Sequence, residues 1–190
     1  MIYLDDDIDG FDLESALPLL SEQRRKQVLR FKYELGRKTC AMAYILLRRA
    51  LHEEYGIDEA PMFEYGEHGK PYIVGHPDIH FNVSHCRQAV VCDVSDQPVG
   101  IDVESIREYK DSLVHYTMHE EEVSQIEHAE RPDVEFIRLW TMKEAVLKLS
   151  GDGISNDLKT VLTGNEVIET TVVADKGYVW SVARRGIYKI

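Results

Sequence analysis

Pro98-Val99-Gly100-Ile101-Asp102-Val103-Glu104 reads as a short β-strand with an apolar lead-in. Successive side chains on a strand point to opposite faces, so Asp102 and Glu104 share one face and Ile101 and Val103 the other. Two carboxylates side by side repel each other unless something cationic sits between them. Hard cations such as Mg²⁺ take oxygen ligands of this kind, with waters and phosphate oxygens completing the shell. Gly100 leaves the backbone open just before the pair, where a bulky group could come close. Taken alone, the stretch also fits a solvated strand face, and the partners that favour a metal lie elsewhere in the chain.

Downstream, Arg131-Pro132-Asp133 is a break, and a helix is expected from about Val134 to Ser150, stopping at Gly151. Glu144 and Lys148 are four apart and share a face with Trp140, while Val146 and Leu149 help form the buried side. An isolated Glu–Lys pair of this spacing contributes only ~0.3–0.5 kcal/mol and is common on helices. Upstream, Ile79 to His85 alternates as a strand does, with Ile79, Phe81 and Val83 facing inward, and Gln88 to Val94 forms the next strand. Ser84 and His85 are adjacent on a strand and point apart, so this is no hydrolase pair, and no GxSxG elbow exists. A hydroxyl and an imidazole at a strand end can instead donate hydrogen bonds to a phosphate. Gly66 to Tyr72 is a turn in which Pro71 holds Lys70 extended, either at a hairpin tip or poised for a phosphate.

Ile2-Tyr3-Leu4 reads as a first strand. Ser21 is the expected N-cap of a helix from about Glu22 to Phe31, and a second helix runs from about Leu35 to Tyr55 and stops at Gly56. Ala43, Leu46, Leu47, Ala50 and Leu51 make its core stripe, with Arg37, Lys38 and Arg48 off it. Thr117 to Ala129 reads as an acidic helix with Val123 and Ile126 buried. Strands are expected around Val161, over 167–173, over 178–183 and over 187–190.

The 190 residues suffice for one full-sized domain or two small halves. A hydrophobic share of 44% with 29% charged residues excludes a disordered chain. Three cysteines without CxxC spacing argue against a disulfide framework or a zinc site, and for a reducing compartment. The acidic N-terminus is not a signal peptide, and no apolar run could span a bilayer, so a cytoplasmic protein is expected. A net charge of −12 speaks against nucleic acid as partner. The charge is uneven. Residues 21–49 carry nine Lys or Arg against Glu22 and Glu34, whereas residues 93–135 carry thirteen Asp or Glu against Arg107, Lys110 and Arg131. One region could hold a polyanion and another a metal, although most such charges are ordinary solvated helix faces.

Gly100-Ile101-Asp102-Val103-Glu104, followed some forty residues later by Trp140-Thr141-Met142-Lys143-Glu144-Ala145-Val146-Leu147-Lys148, resembles the paired signature of the 4′-phosphopantetheinyl transferases. It is similar in particular to their monomeric, Sfp-type branch. Gly69-Lys70-Pro71 and Phe81-Asn82-Val83-Ser84-His85 agree in kind and in order. The resemblance covers about residues 65–153, is weaker over the first helices and is indistinct after Ile154.

The resemblance implies an α+β fold, a pseudo-dimer of two similar halves, each a small antiparallel sheet packed with helices, with the active site in the cleft between them. The boundary is expected near Asp96: residues 1–95 on the side of the coenzyme A 3′-phosphate and adenine, and 96–190 carrying the acids and the catalytic helix. The implied reaction moves the phosphopantetheine arm of coenzyme A to a serine hydroxyl of an apo acyl, peptidyl or aryl carrier protein and releases 3′,5′-ADP. Asp102, Glu104 and Glu144 would be ligands to Mg²⁺ or Mn²⁺. Glu144 is also the candidate general base, and Lys148 would hold the leaving diphosphate. Lys70, Ser84, His85 and Lys143 would hold coenzyme A, with Arg37 or Lys38 near its 3′-phosphate. Because carriers are acidic, docking would fall to a local basic or apolar patch within 21–49. A monomer is expected, since one chain supplies both halves. A non-catalytic coenzyme A or carrier-protein binding module on the same scaffold, or a phosphohydrolase using the same three acids, are the competing readings.

Overall fold

Apolar residues at helical spacing between Cys40 and Leu51 set the first core. In the computed structural model, which describes residues 1–66, 69–151 and 158–186, they lie on one long helix. The chain begins with β1 (Ile2–Asp5) and a single helical turn, α1 (Leu13–Ala16), which runs on into a 3-10 turn (Leu17–Leu19). Then come α2 (Glu22–Arg30) and α3 (Glu34–Tyr55). The hairpin β2 (Phe63–Tyr65) and β3 (Pro71–Ile73) leads into β4 (His80–His85) and β5 (Val90–Ser95). The second half holds β6 (Val99–Ser105), α4 (Asp111–Thr117), α5 (Glu120–His128) and α6 (Pro132–Ser150). A 3-10 turn (Leu158–Thr163) and the strands β7 (Val167–Val173) and β8 (Tyr178–Arg184) complete it.

The architecture is α+β. β5 is the centre of a three-stranded antiparallel sheet with β1 and β4, and β8 is the centre of a second, with β6 and β7. Each sheet carries one long helix. On the first, Met42, Leu46, Leu47, Ala50 and Leu51 of α3 pack against Phe81, Val90, Cys92 and Val94. On the second, Ala145, Val146 and Leu149 of α6 pack against Ala183. β5 is buried on both faces: Val90, Cys92 and Val94 face α3, while Val91 turns away to join Val99, Ile101, Val103 and Val182. The two sheets are thus glued through one shared apolar layer. No helix among the described residues is long and apolar enough to cross a membrane.

Glycine ends both long helices. Gly56 (φ 66°) and Gly151 (φ 78°) take the left-handed conformation that closes a helix, and their amides return to the carbonyls of His52 and Leu147. Ser21 caps α2 as its position predicts, accepting from the Arg24 amide. Three readings change. Val161 lies in the 3-10 turn and not in a strand. The acidic helix expected from Thr117 to Ala129 is α5, which starts later, at Glu120, behind a capping box formed by His119 and Glu122, and Thr117 instead ends the separate helix α4. Pro132 opens α6 at its first position, where its missing amide costs nothing. The strand expected over 187–190 lies outside the described residues.

Candidate active site

Gly100 determines how closely α6 can lie on β6. A Cβ at this position would collide with the Ala145 carbonyl and the Leu149 amide, so the helix backbone rests directly on the strand. The bulky group that the open backbone admits is therefore the chain's own helix. Two residues later, β6 delivers Asp102, and α6 delivers Glu144 and Lys148 from above.

Asp102 is 4% exposed. Its Oδ1 accepts from the Lys148 ammonium (2.5 Å) and from the Ser84 hydroxyl (2.8 Å), while Ser84 Oγ itself accepts from Lys148 (3.1 Å). This closed triangle joins β4, β6 and α6, and it brings Ser84, Asp102 and Lys148 together across the two halves. Asp102 Oδ2 is buried with no hydrogen-bond partner among the described residues, an arrangement that carries a large desolvation cost. Glu104 and Glu144 flank it, half-buried. Desolvation first and Asp102 second hold both carboxyls above the ordinary carboxylate range. Lys148 opposes the shift at both, with Arg107 and Trp140 adding to it at Glu104.

Among the described residues no three His, Cys, Asp or Glu side chains are gathered closely enough to hold a metal ion. The Lys148 ammonium is seated on Asp102. The donor set nevertheless fits a hard divalent cation. It offers carboxylate oxygens from a strand and a helix, one of them buried and unpartnered, and two neighbours in want of compensating charge.

Next to this cluster lies a pocket of about 290 Å³ between α2, α3 and β4, lined among others by Arg24, Cys40, Tyr44, Phe63, Phe81 and His85. The Arg24 guanidinium sits over the rings of Tyr44 (5.3 Å) and Phe63 (5.5 Å). His85 reaches solvent, yet the protein around its ring, and then the charge of Lys148, hold its pKa below the ordinary value. Arg24 is the cation that sequence reasoning passed over. It sits one turn into a well-capped helix among other basic residues, and only the packing of α2 on α3 aims it inward.

The remaining predicted lysines and arginine are placed differently. Arg37 donates its Nε to the Phe31 carbonyl, and Lys38 reaches the Asp9 carbonyl and lies 3.7 Å from Glu34; neither lines the pocket. Lys70 turns inward and donates to the carbonyls of Lys148 (2.6 Å), Leu149 (3.2 Å) and Val99 (3.3 Å), capping the end of α6. Lys143 is fully buried, with its ammonium 2.7 Å from Glu122 Oε2 and 2.7 Å from the Leu158 carbonyl.

Comparison with known proteins follows the two halves. A family model described as "4′-phosphopantetheinyl transferase, N-terminal" matches residues 10–96, and that of the 4′-phosphopantetheinyl transferase superfamily matches residues 98–183. The transferase psf-1 of Bacillus pumilus is 34% identical over 160 residues, spanning 83% of this chain and 69% of its own. The chain belongs to the 4′-phosphopantetheinyl transferase superfamily. Within it, this transferase is of the Sfp type: Sfp of Bacillus subtilis strain 168 is 30% identical over 158 residues, covering 81% of this chain and 70% of that one. HetI of a Nostoc strain is 29% identical over 165 residues, covering 81% and 70% of the two chains. The α+β fold with two sheet-and-helix halves accords with the two matched segments of the transferase.

Proposed function

We propose that this transferase moves the 4′-phosphopantetheine arm of coenzyme A to a serine hydroxyl of an apo carrier protein, releasing 3′,5′-ADP. The single observation that carries the proposal is the Asp102–Ser84–Lys148 triangle, with one buried Asp102 oxygen left over and Glu104 and Glu144 near enough to feel its charge, beside a pocket lined by Arg24 and His85. In this reading residues 1–95 bind the nucleotide end and 96–190 carry the chemistry, with the reacting groups in the cleft between them.

Arg24 and His85 hold the 3′-phosphate end of coenzyme A, and the aromatic walls of the pocket take the adenine. Ser84 and Lys148 reach the diphosphate. Lys148 then leaves Asp102 Oδ1 for the phosphate oxygens and follows the charge onto the leaving group. Asp102, Glu104 and Glu144 would hold Mg²⁺ or Mn²⁺, which when bound supplies charge neutralisation at the diphosphate. Glu144, held above the ordinary carboxylate range, takes the proton of the attacking serine. The serine oxygen bonds to the phosphorus on the pantetheine side, the bridging P–O bond breaks, and the electron pair leaves with 3′,5′-ADP.

Intact-mass measurement tests this. The chain is incubated with coenzyme A, Mg²⁺ and a panel of apo acyl, peptidyl and aryl carrier proteins, with an EDTA control. The expected result is a metal-dependent gain of one phosphopantetheine group on at least one carrier. Coenzyme A binding with no gain on any carrier would replace the proposal with a binding module.

A further inference from the structure

Lys143 precedes Glu144 in the motif helix, yet its ammonium is spent inside the protein. Among the described residues it is the largest charged side chain that is fully buried, paired with Glu122 of α5 and bonded to the Leu158 carbonyl beyond the end of α6. Glu122 in turn accepts from the His119 amide and so is fixed by the cap of its own helix. On the sheet side, Thr141, also fully buried, bonds Ser181 Oγ (2.8 Å), and Ser181 stands opposite Asp102 in the β6–β8 register.

Replacing a buried ion pair by apolar residues of like volume is often neutral for stability, so stability does not account for this one. Its bonds are directional, whereas the apolar contacts of Ala145, Val146 and Leu149 tolerate rotation of the helix. We infer that Lys143, through Glu122, is a positioning residue: it sets the rotation of α6 about its axis and thereby aims Glu144 at Asp102. Consecutive helical residues lie about 100° apart, so a lysine anchored toward α5 leaves its successor directed at β6. The inference rests on the proposed transferase reading for its consequence in turnover, and on the acid cluster alone for its consequence in metal binding.

The test uses the full chain as wild type, Glu122→Gln, and the double variant Lys143→Met/Glu122→Leu, which strands no buried charge. Each is measured for thermal unfolding, coenzyme A affinity by calorimetry, Mn²⁺ affinity by electron paramagnetic resonance, and kcat and KM on an apo peptidyl carrier domain. The double variant is expected to stay folded and to bind coenzyme A within about twofold of wild type, while Mn²⁺ affinity and kcat each fall at least about tenfold. Glu122→Gln, which keeps an acceptor for Lys143, should recover most of both. Unchanged Mn²⁺ affinity and kcat in the double variant would overturn the inference. So would a tenfold weaker coenzyme A affinity with unchanged kcat, which would make Lys143 a ligand of the substrate. Should wild type modify no carrier, the transferase reading fails, and the Mn²⁺ comparison still decides the positioning role.

Discussion

Asp102 has one oxygen satisfied twice over and one with no partner among the described residues, and its charge is felt by Glu104 and Glu144. Glu104 and Glu144 have pKa values raised above the ordinary 4.5. A group raised in the folded state gives its favourable contribution in full below the unfolded value, and loses it as pH climbs through the folded one. These two glutamates therefore destabilise the metal-free protein increasingly as pH rises above about 4.5. The rise in melting temperature on adding Mg²⁺ should grow as pH is raised above about 4.5 and nearly vanish in Asp102→Asn. A shift independent of pH would contradict the role of the three acids. The same variant should lose at least about 100-fold in kcat. At the other end of the site, Arg24→Ala should raise KM for coenzyme A about tenfold with little change in kcat, because it removes binding that substrate and transition state share. Arg37→Ala should change neither, since Arg37 is spent on the Phe31 carbonyl. Steady-state kinetics on the two variants, side by side, checks this. Asp102, Glu104, Glu144 and Lys148 were legible from spacing and resemblance. Arg24 was not, because a basic residue on an amphipathic helix gives no sign of which neighbour's groove it enters.

At the scale of elements, the decisive contact is that of α6 on β6. Gly100 permits it, Lys70 caps the helix end, and Lys143 and Thr141 fix its rotation. Gly100→Ala should cost about 1–3 kcal/mol, since neither the Ala145 carbonyl nor the Leu149 amide can move without distorting the helix. Chemical denaturation should show the loss, and kcat should fall more than stability does, because the helix that backs away carries Glu144 and Lys148. A variant of wild-type stability and turnover would show that the helix can shift freely. The helix ends were readable in the sequence, for Gly56 and Gly151 punctuate it as the left-handed conformation demands. The start of α5 was not, and the pattern puts it three residues early, because its cap uses a histidine, a residue outside the usual N-cap set.

At the scale of the whole molecule, the two halves meet where β4 runs along β6. The Asn82 side chain accepts from the Ile101 amide (2.8 Å), and Ser84 bonds Asp102. Asp93 of β5, fully buried, pairs with Arg184 of β8 and ties the same two sheets. Asn82→Ala should cost about 1–3 kcal/mol by stranding the Ile101 amide, and it should weaken the coupling of the halves. The expected readout is a lower urea midpoint with a broader transition, set against a sharp single one for wild type. An unchanged midpoint would mean that the shared apolar layer alone holds the sheets together.

The alternation of Ile79 to His85, the stripe on α3 and the paired carboxylates after Gly100 needed only local rules, because periodicity and side-chain direction are properties of one element. That Asn82 and Ser84 face β6 and not water, that Lys70 and Lys143 turn inward to hold α6, and that Arg24 enters the pocket were decided only by tertiary structure. A charged or polar side chain goes where its partners are, and these partners lie from 15 to 79 positions away along the chain, brought near by the burial of apolar surfaces that carry no such charges.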